Sequence, residues 1–497
     1  MKLKVKKISF NTGGPFVVVL NENDAKRLDV RALDRVNIKN VEAIVDISKG
    51  NHGVSVKDGE IGVLIEAFEN LKLKNNEIID ISPANKPESL VYIRKKLDDK
   101  KLNDKEINAI IKDVVNNRLS ETELTYFVSG CYDNGLEMEE VVSLTKAIVE
   151  HGGRLKLGKK IILDKHCVGG LAGNRTSMVI VPIIAAAGYT IPKTSSRAIS
   201  SASGTADTVE VLCPVSLSVK EVTNVVKKTN GCLVWGGAMG MASADDRLIK
   251  IEKLLSLDPR GLLLASIMAK KMSVGATHVL VDIPCGKEAK IKNMKEALKL
   301  KRQFIELSKK LGIKVRVIIT DGSQPIGKGI GPVLEARDVI NVLKGNGPDD
   351  LKEKSLHMAG IMLEMIGEKN GLRIAKEILD KGIAYRKMID IIKAQGGNLK
   401  NSLVNRLGRY KKEFYANKPG IVKRIDNNKA NSIARISGAP EDKFAGVLLN
   451  VKRNSKVKKG ELIFTIFSSN KDRLKYASSD VKGFIEVKWV KNIVTSR

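Results

Sequence analysis

DKHCVGGLAGNRTS (residues 164–177) opens the stretch of sequence that decides the fold, and KTSSRAISSASGTADTVE (residues 193–210) closes it. Both segments are rich in glycine and hydroxyl residues, and the apolar run MVIVPIIAAAGYTIP between them is long enough for one helix. A hydrophobic run, KKIILD, precedes the first segment and predicts a buried strand. A strand, a glycine-rich turn and a helix in this order direct backbone N–H groups and a positive helix dipole at an anion.

Side chains in the two loops add a cation and hydroxyl donors, both of which suit phosphate oxygens. Lys165 supplies the cation, and the hydroxyls belong to Ser177, Ser195, Ser196, Ser200, Ser201 and Thr205. The stretch therefore predicts a phosphate-binding active site. Tight turns without a ligand are the alternative that these residues leave open.

Length and composition set the broad class of the protein. A chain of 497 residues is too long for one hydrophobic core, so about three domains are expected. Hydrophobic residues make up 43% and charged residues 29% of the chain, as is ordinary for soluble globular proteins. The N-terminus has no apolar signal region, and the longest apolar run, Met178–Gly188, is too short to span a bilayer. We therefore expect a cytoplasmic protein that does not insert into a membrane.

Cysteine and histidine usage indicates the redox compartment and the metal content. The five cysteines are odd in number, widely spaced and without a CxxC pair, which favours a reducing compartment over a disulfide framework or a zinc ribbon. The five histidines show no paired ligand spacing, so no metal site is predicted.

The net charge of +30 raises the question of a nucleic-acid partner. The lysines, however, are spread over nearly every segment, and aromatic residues are only 4% of the chain, which leaves few platforms for base stacking. These features favour a solvated lysine-rich surface over a nucleic-acid interface. Such a surface still attracts anionic metabolites such as nucleotides.

Changes in pattern along the chain predict four parts. Short alternating segments between glycine- and asparagine-rich turns come first, followed by helical stripes with capping boxes and then by strands alternating with helices. The last part is helical at first and β-rich beyond Asn417, where a compact barrel or hammerhead with a scaffold or assembly role is expected. The predicted parts are a β-rich barrel-like domain (1–85), a helical lobe (86–160, joined by helices near 219–275), a central α/β lobe that binds phosphate and nucleotide (161–345) and a C-terminal domain (346–497).

Strands that run into polar, glycine-rich loops recur in the central part. THVLVDIP (Thr277–Pro284) leads into CGKEAK, the loop that carries Lys290, and KVRVIITDGSQPIGKGIGP (Lys314–Pro332) repeats the plan. This alternation predicts an α/β sheet whose ligands bind at the carboxyl ends of the strands.

The segment SLDPRGLLLASIMAKKMS (Ser256–Ser273) predicts a helix with Asp258 as N-cap and Pro259 in its first turn. Ser266 and Lys270 are four residues apart and share one face of that helix. The residues alone favour a helix cap and an ordinary exposed pair.

Taken together, these segments resemble the thymidine and pyrimidine-nucleoside phosphorylases. KHCVGGLAGNRTS closely resembles the KHSTGG loop of that family, and SSRAISSASGTADTVE resembles its second loop. ASIMAKK, DIPCGK and DGSQPIGKGIGPVLEARDVI also resemble family segments and come in the same order. The similarity covers roughly residues 88–490. It implies a helical lobe and a larger α/β lobe that close on the site, and a C-terminal α/β domain.

The sequence also departs from the pyrimidine-specific members. RLIKIEKLLSLDPRG stands where those members carry the arginine of a YxLRDVT segment, which helps to hold the pyrimidine. Cys167 replaces the loop serine that contacts phosphate, the loop is one residue longer before Ser177, and an N-terminal β domain is added. In these respects the chain is similar to the archaeal AMP phosphorylase branch, whose members act on nucleoside 5′-monophosphates.

The resemblance implies a role for each candidate residue. Asp258 matches the proposed proton donor, with His166 as an alternative acid or a ribose contact. Cys167 is expected to be a small buried filler, because phosphorolysis requires no enzyme nucleophile. The positions implied for inorganic phosphate are Lys165, Ser177 and Ser195, with Thr205 beside them. The positions implied for the nucleotide are Gly170, Ser196, Arg197, Ala198, Ile199, Ser200, Ser201, Thr205, Ser266 and Lys290.

The implied reaction is phosphorolysis, in which AMP and phosphate give adenine and ribose 1,5-bisphosphate. Phosphate is then a co-substrate, and no further cofactor is expected. A pyrimidine-nucleoside phosphorylase is the alternative. A phosphoribosyltransferase is less favoured, since it would need Mg²⁺ and no acidic Mg²⁺ motif is evident near the loops. An RNA-binding protein that uses the basic surface is also less favoured. The preference among AMP, CMP and UMP stays open, and a homodimer or larger homo-oligomer is expected.

Overall fold

The computed structural model describes residues 1–49, 56–198 and 201–489. The chain forms two compact units, the first made of Met1–Gly152 and Ala242–Ser266, and the second of Gly153–Met241 and the chain from Ile267 onward. The finer division into four domains remains a prediction. In the described ranges, no helix is both long and apolar enough to cross a bilayer.

The first unit begins with a small closed barrel, which confirms the predicted β-rich N-terminal domain. Its strands pair around the barrel in the order β1-β5-β2-β4-β3-β6. In β1, inward-facing residues alternate with exposed lysines, as expected for a strand with one face in a core. The strands are β1 (Lys2–Ile8), β2 (Val17–Asn21), β3 (Arg35–Ile38), β4 (Val41–Ser48), β5 (Glu60–Leu64) and β6 (Ile78–Ala84), and the helices are α1 (Glu22–Arg27) and α2 (Ile65–Asn70).

Four helices follow the barrel: α3 (Ser89–Leu97), α4 (Asp104–Val115), α5 (Glu121–Asp133) and α6 (Met138–Glu150). The predicted capping boxes are present, since Asn103 caps α4 and Ser120 caps α5, each paired with a glutamate three residues later. The apolar stripe of α4 is buried, which confirms that it belongs to a helical core rather than to a cofactor site.

Two arginines tie the barrel to these helices within the first unit. Arg35 is buried, and its Nη2 lies 2.8 Å from Oε2 of Glu123, while its Nη1 donates to the backbone carbonyl of Arg118. The Arg118 guanidinium in turn pairs with Glu42 in the barrel and, at 2.8 Å, with Asp113. Barrel and helices are therefore joined by charge-assisted hydrogen bonds.

The second unit starts with the stretch on which the fold prediction depends. Its elements are β7 (Leu163–Cys167), α7 (Thr176–Ala186), β8 (Ile191–Ser195), α8 (Thr205–Val209), α9 (Val219–Thr229) and β9 (Gly231–Trp235). Strand, glycine-rich loop and helix follow one another as predicted. Every residue of α7 from Thr176 to Ala185 is buried, which explains why this helix is apolar on all sides.

The next helices are α10 (Ser243–Leu255), which belongs to the first unit, and α11 (Arg260–Ser273). α10 packs against α4, α5 and α6. Arg247 in α10 fixes the contact by donating to the backbone carbonyls of Val114 (2.7 Å) and Leu119 (2.9 Å).

The second unit continues with β10 (His278–Cys285), α12 (Met294–Leu311), β11 (Lys314–Asp321) and β12 (Gly329–Ile330), followed by α13 (Pro332–Leu343), α14 (Asp349–Glu364), α15 (Gly371–Asp380) and α16 (Ile383–Ala394). The four last helices confirm the helical pattern predicted for this region. They share one core with α7 and β8, so the sheet is covered by a helical layer built largely from sequence beyond it.

The C-terminal part of the second unit combines two small sheets with two helices. One sheet has the order β12-β15-β17-β13 and the other β16-β14-β18. Helices α17 and α18 confirm the α/β class implied by the resemblance, and the β-rich pattern predicted beyond Asn417 is present as two separate sheets. The elements are β13 (Tyr410–Tyr415), β14 (Gly420–Ile425), α17 (Asn427–Ser437), β15 (Gly446–Leu449), β16 (Lys456–Val457), β17 (Leu462–Ser468), α18 (Lys471–Ser479) and β18 (Ile485–Trp489).

Replacing Arg35 by methionine tests how the barrel is joined to the helices. Arg35→Met leaves the Glu123 carboxylate without its buried partner, so the free energy of unfolding should fall by about 2–3 kcal/mol. Arg31→Met alters an exposed arginine four residues earlier and should change the free energy of unfolding little. Urea denaturation followed by circular dichroism measures both, and equal effects of the two substitutions would contradict this description.

Candidate active site

Five parallel strands of the second unit end at one edge. β11, β10 and β7 form one sheet, β8 and β9 form another, and a parallel bridge between Ile162 and Thr190 joins them. The spatial order is therefore β11-β10-β7-β8-β9, with every neighbouring pair parallel. Because parallel strands point the same way, the loops that follow them all lie along the carboxyl edge.

The direction of winding reverses between β7 and β10. From β7 the chain proceeds to β8 and β9 on one side, whereas β10 proceeds to β11 on the other. In open parallel sheets, ligands bind in the crevice at such a switch point. The loops that flank it are residues 168–175 and residues 286–292. Topology thus places the first predicted phosphate loop where a ligand is expected.

The loop after β7 requires glycine where it meets the loop after β10. Gly169 and Gly170 have φ values of 96° and 95°, in the left-handed region. A Cβ on Gly170 would lie 2.7 Å from the backbone nitrogen of Lys290. Two of the residues predicted to bind nucleotide, Gly170 and Lys290, are therefore neighbours, and both are exposed.

Lys165 lies inside the protein rather than on the loop surface. It is 1% exposed, and its Nζ donates to Oγ1 of Thr176 (2.8 Å) in the first turn of α7. Ser177 follows and is also buried. The first-turn amides of α7 and the Lys165 ammonium thus both lie beside the glycine loop, as an anion site requires. Cys167 accepts a hydrogen bond from Nδ2 of Asn174 (3.3 Å), and burial raises the pKa of its thiol.

Arg175 connects the two predicted loops. Its buried guanidinium donates to Oε2 of Glu335 (2.6 Å), to Oγ1 of Thr208 (3.1 Å) and to the backbone carbonyl of Ser203. A cation at the end of a phosphate loop suggests an anion ligand. Arg175 instead uses its guanidinium to hold the first loop against the second.

Asp207 organises the loop after β8. Its carboxylate accepts the backbone N–H groups of Ala198 (2.7 Å) and Gly204 (2.8 Å), and so closes the loop on itself. Ser201 donates from Oγ to the carbonyl of Ser203 (2.8 Å). Of the other predicted residues here, Ser196 is exposed, Thr205 is the first residue of α8, and Ile199 and Ser200 lie outside the described residues.

Arg197 is engaged with carboxylates. Its Nη1 lies 3.1 Å from Asp207, its Nη2 lies 2.6 Å from Glu210, and the guanidinium faces the ring of Trp235 at 4.9 Å. Hydrogen bonding from Arg197, reinforced by Lys443, lowers the pKa of Glu210 to about 2. A role for Arg197 in binding a substrate phosphate remains a prediction. In that role its guanidinium would have to leave Asp207 and Glu210 and contact the phosphate instead. Ser195 donates from Oγ to the carbonyl of Val234 (3.2 Å).

Four lysines and two aspartates form a cluster of largely buried charges around Lys165 and Lys193. Asp164 lies 2.6 Å from Nζ of Lys271 and 3.8 Å from Nζ of Lys193, and Asp282 lies 3.2 Å from Nζ of Lys354. Lys165 is a further buried cation near both groups. Burying cations in excess of anions is unfavourable unless a ligand anion completes the balance.

The pKa values in this cluster reflect the same excess. Burial, together with Lys271, lowers the pKa of Lys193 to about 7, and burial lowers the pKa of Lys165. Desolvation and the neighbouring lysines hold the pKa of His166 well below its usual range. An imidazole that is neutral at pH 7 is a poor proton donor, which disfavours His166 as the acid and leaves the ribose contact open.

The remaining predicted residues belong to the first unit. Ser266 is buried and donates from Oγ to Oδ2 of Asp245 (2.8 Å), which is also buried. Asp258 precedes Pro259 at the start of α11 and is exposed. Its role as proton donor remains a prediction.

Several residues of the site were missed by sequence reasoning. Arg175 and Asp207 lie within the quoted stretch, but nothing in a single sequence marks them as partners of other loops. Lys193 and Lys271 resemble surface lysines in a chain rich in them. A lysine flanked by β-strand residues, as in TIPKTS, was the one available signal for Lys193.

Family models match three parts of the chain. The α/β domain of the glycosyl transferase family matches residues 159–385, and the helical bundle domain of that family matches residues 91–152. The pyrimidine nucleoside phosphorylase C-terminal domain matches residues 421–488.

Curated relatives match almost the whole chain. The AMP phosphorylase of Pyrococcus furiosus is 46% identical over 480 residues, which is 95% of this chain and 95% of that protein. The AMP phosphorylase of Thermococcus kodakarensis is 46% identical over 485 residues, covering 96% and 95%. That of Thermofilum pendens is 42% identical over 479 residues, covering 95% and 92%.

Solved structures support the fold. Anthranilate phosphoribosyltransferase from Thermus thermophilus superposes with a TM-score of 0.53 at 16% identity, covering 61% of this chain and 99% of that chain. The enzyme from Saccharomyces cerevisiae gives 0.50 at 16% identity, covering 63% and 99%. At this identity the likeness concerns the fold alone.

Replacing Gly170 by alanine tests the contact between the loops. Gly170→Ala adds a Cβ that clashes with the backbone at Lys290, so the affinity for inorganic phosphate should fall by about tenfold or more. Gly188→Ala is a matched control, because Gly188 has a similar φ of 92° but open space around its Cβ position. Isothermal titration calorimetry measures the phosphate affinity of both variants, of which only Gly170→Ala combines backbone strain with the clash. An equal loss of affinity in the two variants would contradict the contact between the loops.

Proposed function

The chain belongs to the AMP phosphorylase family, and from that premise we propose that it catalyses the phosphorolysis of nucleoside 5′-monophosphates. AMP and inorganic phosphate are converted to adenine and ribose 1,5-bisphosphate. The observation that carries the proposal is the excess of lysines over aspartates in the cluster around Lys165, the residue whose strand leads into the glycine loop at the switch point of the sheet. A phosphate dianion supplies the negative charge that this arrangement lacks.

Inorganic phosphate binds at the loop after β7 in the proposed site. The first-turn amides of α7 and the Ser177 hydroxyl supply hydrogen-bond donors. Lys165 and the nearby buried lysines supply a positive electrostatic potential. Ser195 and Thr205 complete the set of hydroxyls. Fixing phosphate in this way makes its attack on the anomeric carbon effectively intramolecular, which lowers the entropic part of the barrier.

The bond changes follow from the chemistry of an N-glycoside. A phosphate oxygen forms a bond to the anomeric carbon while the bond from that carbon to the base nitrogen breaks, and the electron pair leaves with the base. Positive charge that develops on the sugar is stabilised by the phosphate dianion. Adenine is a poor leaving group as an anion, so Asp258 is proposed as the acid that protonates a ring nitrogen.

The nucleotide substrate carries a second phosphate, which requires a second set of donors. We assign it to Lys290, Arg197 and the loop after β8 from Ser196 to Ser201. Gly170, Thr205 and Ser266 are proposed as further nucleotide-binding positions. Oligomer formation and a cytoplasmic location remain predictions. The pyrimidine-nucleoside alternative is not favoured, because the relatives that match the whole chain carry the AMP phosphorylase name.

Adenine release from AMP tests the proposed reaction. Release should require inorganic phosphate and should not occur at a comparable rate from adenosine or thymidine, both measured in parallel by chromatography. Turnover of thymidine or uridine alone would overturn the nucleotide assignment.

Replacing Asp258 by asparagine tests the proposed acid. Asp258→Asn should lower kcat by about a hundredfold or more while leaving the phosphate KM nearly unchanged. Asp133→Asn, at an exposed aspartate in α5, is the matched control and should retain kcat. An unchanged kcat in Asp258→Asn would remove this residue from the chemistry.

Proton uptake on phosphate binding tests the role of the buried lysines. With a pKa of about 7, Lys193 is largely neutral at about pH 8.5, and a bound anion raises the pKa of a nearby lysine, so a proton should be taken up. Calorimetry in two buffers of different ionisation enthalpy measures this uptake. Lys193→Met should lose most of it, whereas the exposed Lys227→Met should keep it. Equal uptake in both variants would contradict the assignment.

A further inference from the structure

Asn427, the first residue of α17, holds the loop after β7. Its Oδ1 accepts the backbone N–H of Ala172 (2.7 Å), and its Nδ2 donates to the backbone carbonyl of Gly170. The Asn427 side chain is completely buried, and its hydrogen bond to Ala172 is shielded from water. The loop is rich in glycine and has much backbone freedom to lose on ordering, so these two bonds restrict it at its centre.

Asn431 lies one helical turn later and holds the loop after β8. Its Oδ1 accepts the backbone N–H of Ala202 (3.0 Å), and its Nδ2 donates to the backbone carbonyl of Asn427 (3.1 Å). Residues four apart share a helix face, so one face of α17 reaches both loops. The two asparagines are also connected to each other.

The same segment reaches the loop after β10. Glu288 in that loop is buried, and its Oε1 accepts from Nε of Arg424 (2.6 Å). Its Oε2 accepts the backbone N–H of Asn427 (3.2 Å). Residues 424–431 therefore hydrogen-bond to all three loops at the carboxyl edge that the proposed function uses.

We propose that Asn427 and Asn431 are positioning residues with separate tasks. Asn427 sets the loop that binds inorganic phosphate, and Asn431 sets the loop that binds the nucleotide. This inference rests on the proposed function and assigns the C-terminal part of the second unit a task beyond the scaffold or assembly role predicted from its sequence. A scaffold residue changes stability, whereas a positioning residue changes the affinity for one substrate.

The energetics favour a local effect of each asparagine. Removing Asn427 leaves the buried N–H of Ala172 without a partner inside the protein, which is costly, and also releases the carbonyl of Gly170. The loop is then expected to rearrange until these groups reach water. Because Asn431 contacts a different loop, its loss disturbs the nucleotide loop and leaves the phosphate loop in place.

Steady-state kinetics with AMP and phosphate varied separately tests the division of tasks. Asn427→Ala should raise the phosphate KM by about tenfold and the AMP KM by a clearly smaller factor, since Gly170 is also a proposed nucleotide contact. Asn431→Leu should do the reverse, and Asn431→Asp should restore the AMP KM because it keeps the acceptor for Ala202. Asn428→Ala, at an exposed position of the same helix, is the control and should alter neither value.

Hydrogen exchange of the ligand-free protein supplies a readout that does not depend on activity. Asn427→Ala should speed exchange in peptides that contain Ala172, and Asn431→Leu in peptides that contain Ala202. If wild type shows no phosphate-dependent adenine release, the proposed function fails, while exchange still shows whether α17 holds the loops. Unchanged exchange, or a lower Tm with both KM values unchanged, would overturn the inference.

Discussion

The second unit depends on one electrostatic constraint, a cluster around Lys165 in which four largely buried lysines face only two aspartates. Asp164 and Asp282 are the buried partners that face Lys193, Lys271 and Lys354. Such an arrangement costs free energy in the absence of an anion. A bound phosphate removes this cost, because its negative charge balances the lysines. The same positive potential then contributes to the affinity for phosphate.

Around this charge cluster, close backbone contacts and hydrogen bonds determine the conformation of the loops. Gly170 permits a close approach to Lys290 that no other residue allows. Arg175 and Asp207 use their hydrogen bonds to hold loops in place, although both carry a charge that could bind a ligand. The site thus separates two tasks: buried lysines and helix amides supply the attraction for phosphate, and other buried charged residues fix the geometry of the backbone.

The fold was largely predictable because its signals are local. The apolar run of α7, the capping boxes of α4 and α5 and the alternation of β1 each depend on residues close in sequence. The glycine loop and Lys165 were also predictable, since the motif is contiguous.

Contacts over long sequence distances could not be predicted. Asn427 lies 255 residues from Ala172, and nothing in the segment DNNKANS distinguishes a loop-holding asparagine from the exposed Asn428 beside it. The helix α17 itself was missed because it is short, polar and placed between strands. The burial of Lys193 follows from parallel pairing with β9, which the local pattern does not reveal.

Tracing the oxygen atoms of phosphate would test the central claim most directly. The protein is incubated with AMP and ¹⁸O-labelled inorganic phosphate, and the sugar product is analysed by mass spectrometry. Phosphorolysis predicts a ribose bisphosphate that carries the label at C1, including the oxygen that bridges carbon and phosphorus. An unlabelled ribose 5-phosphate, formed at the same rate with or without phosphate, would contradict the account.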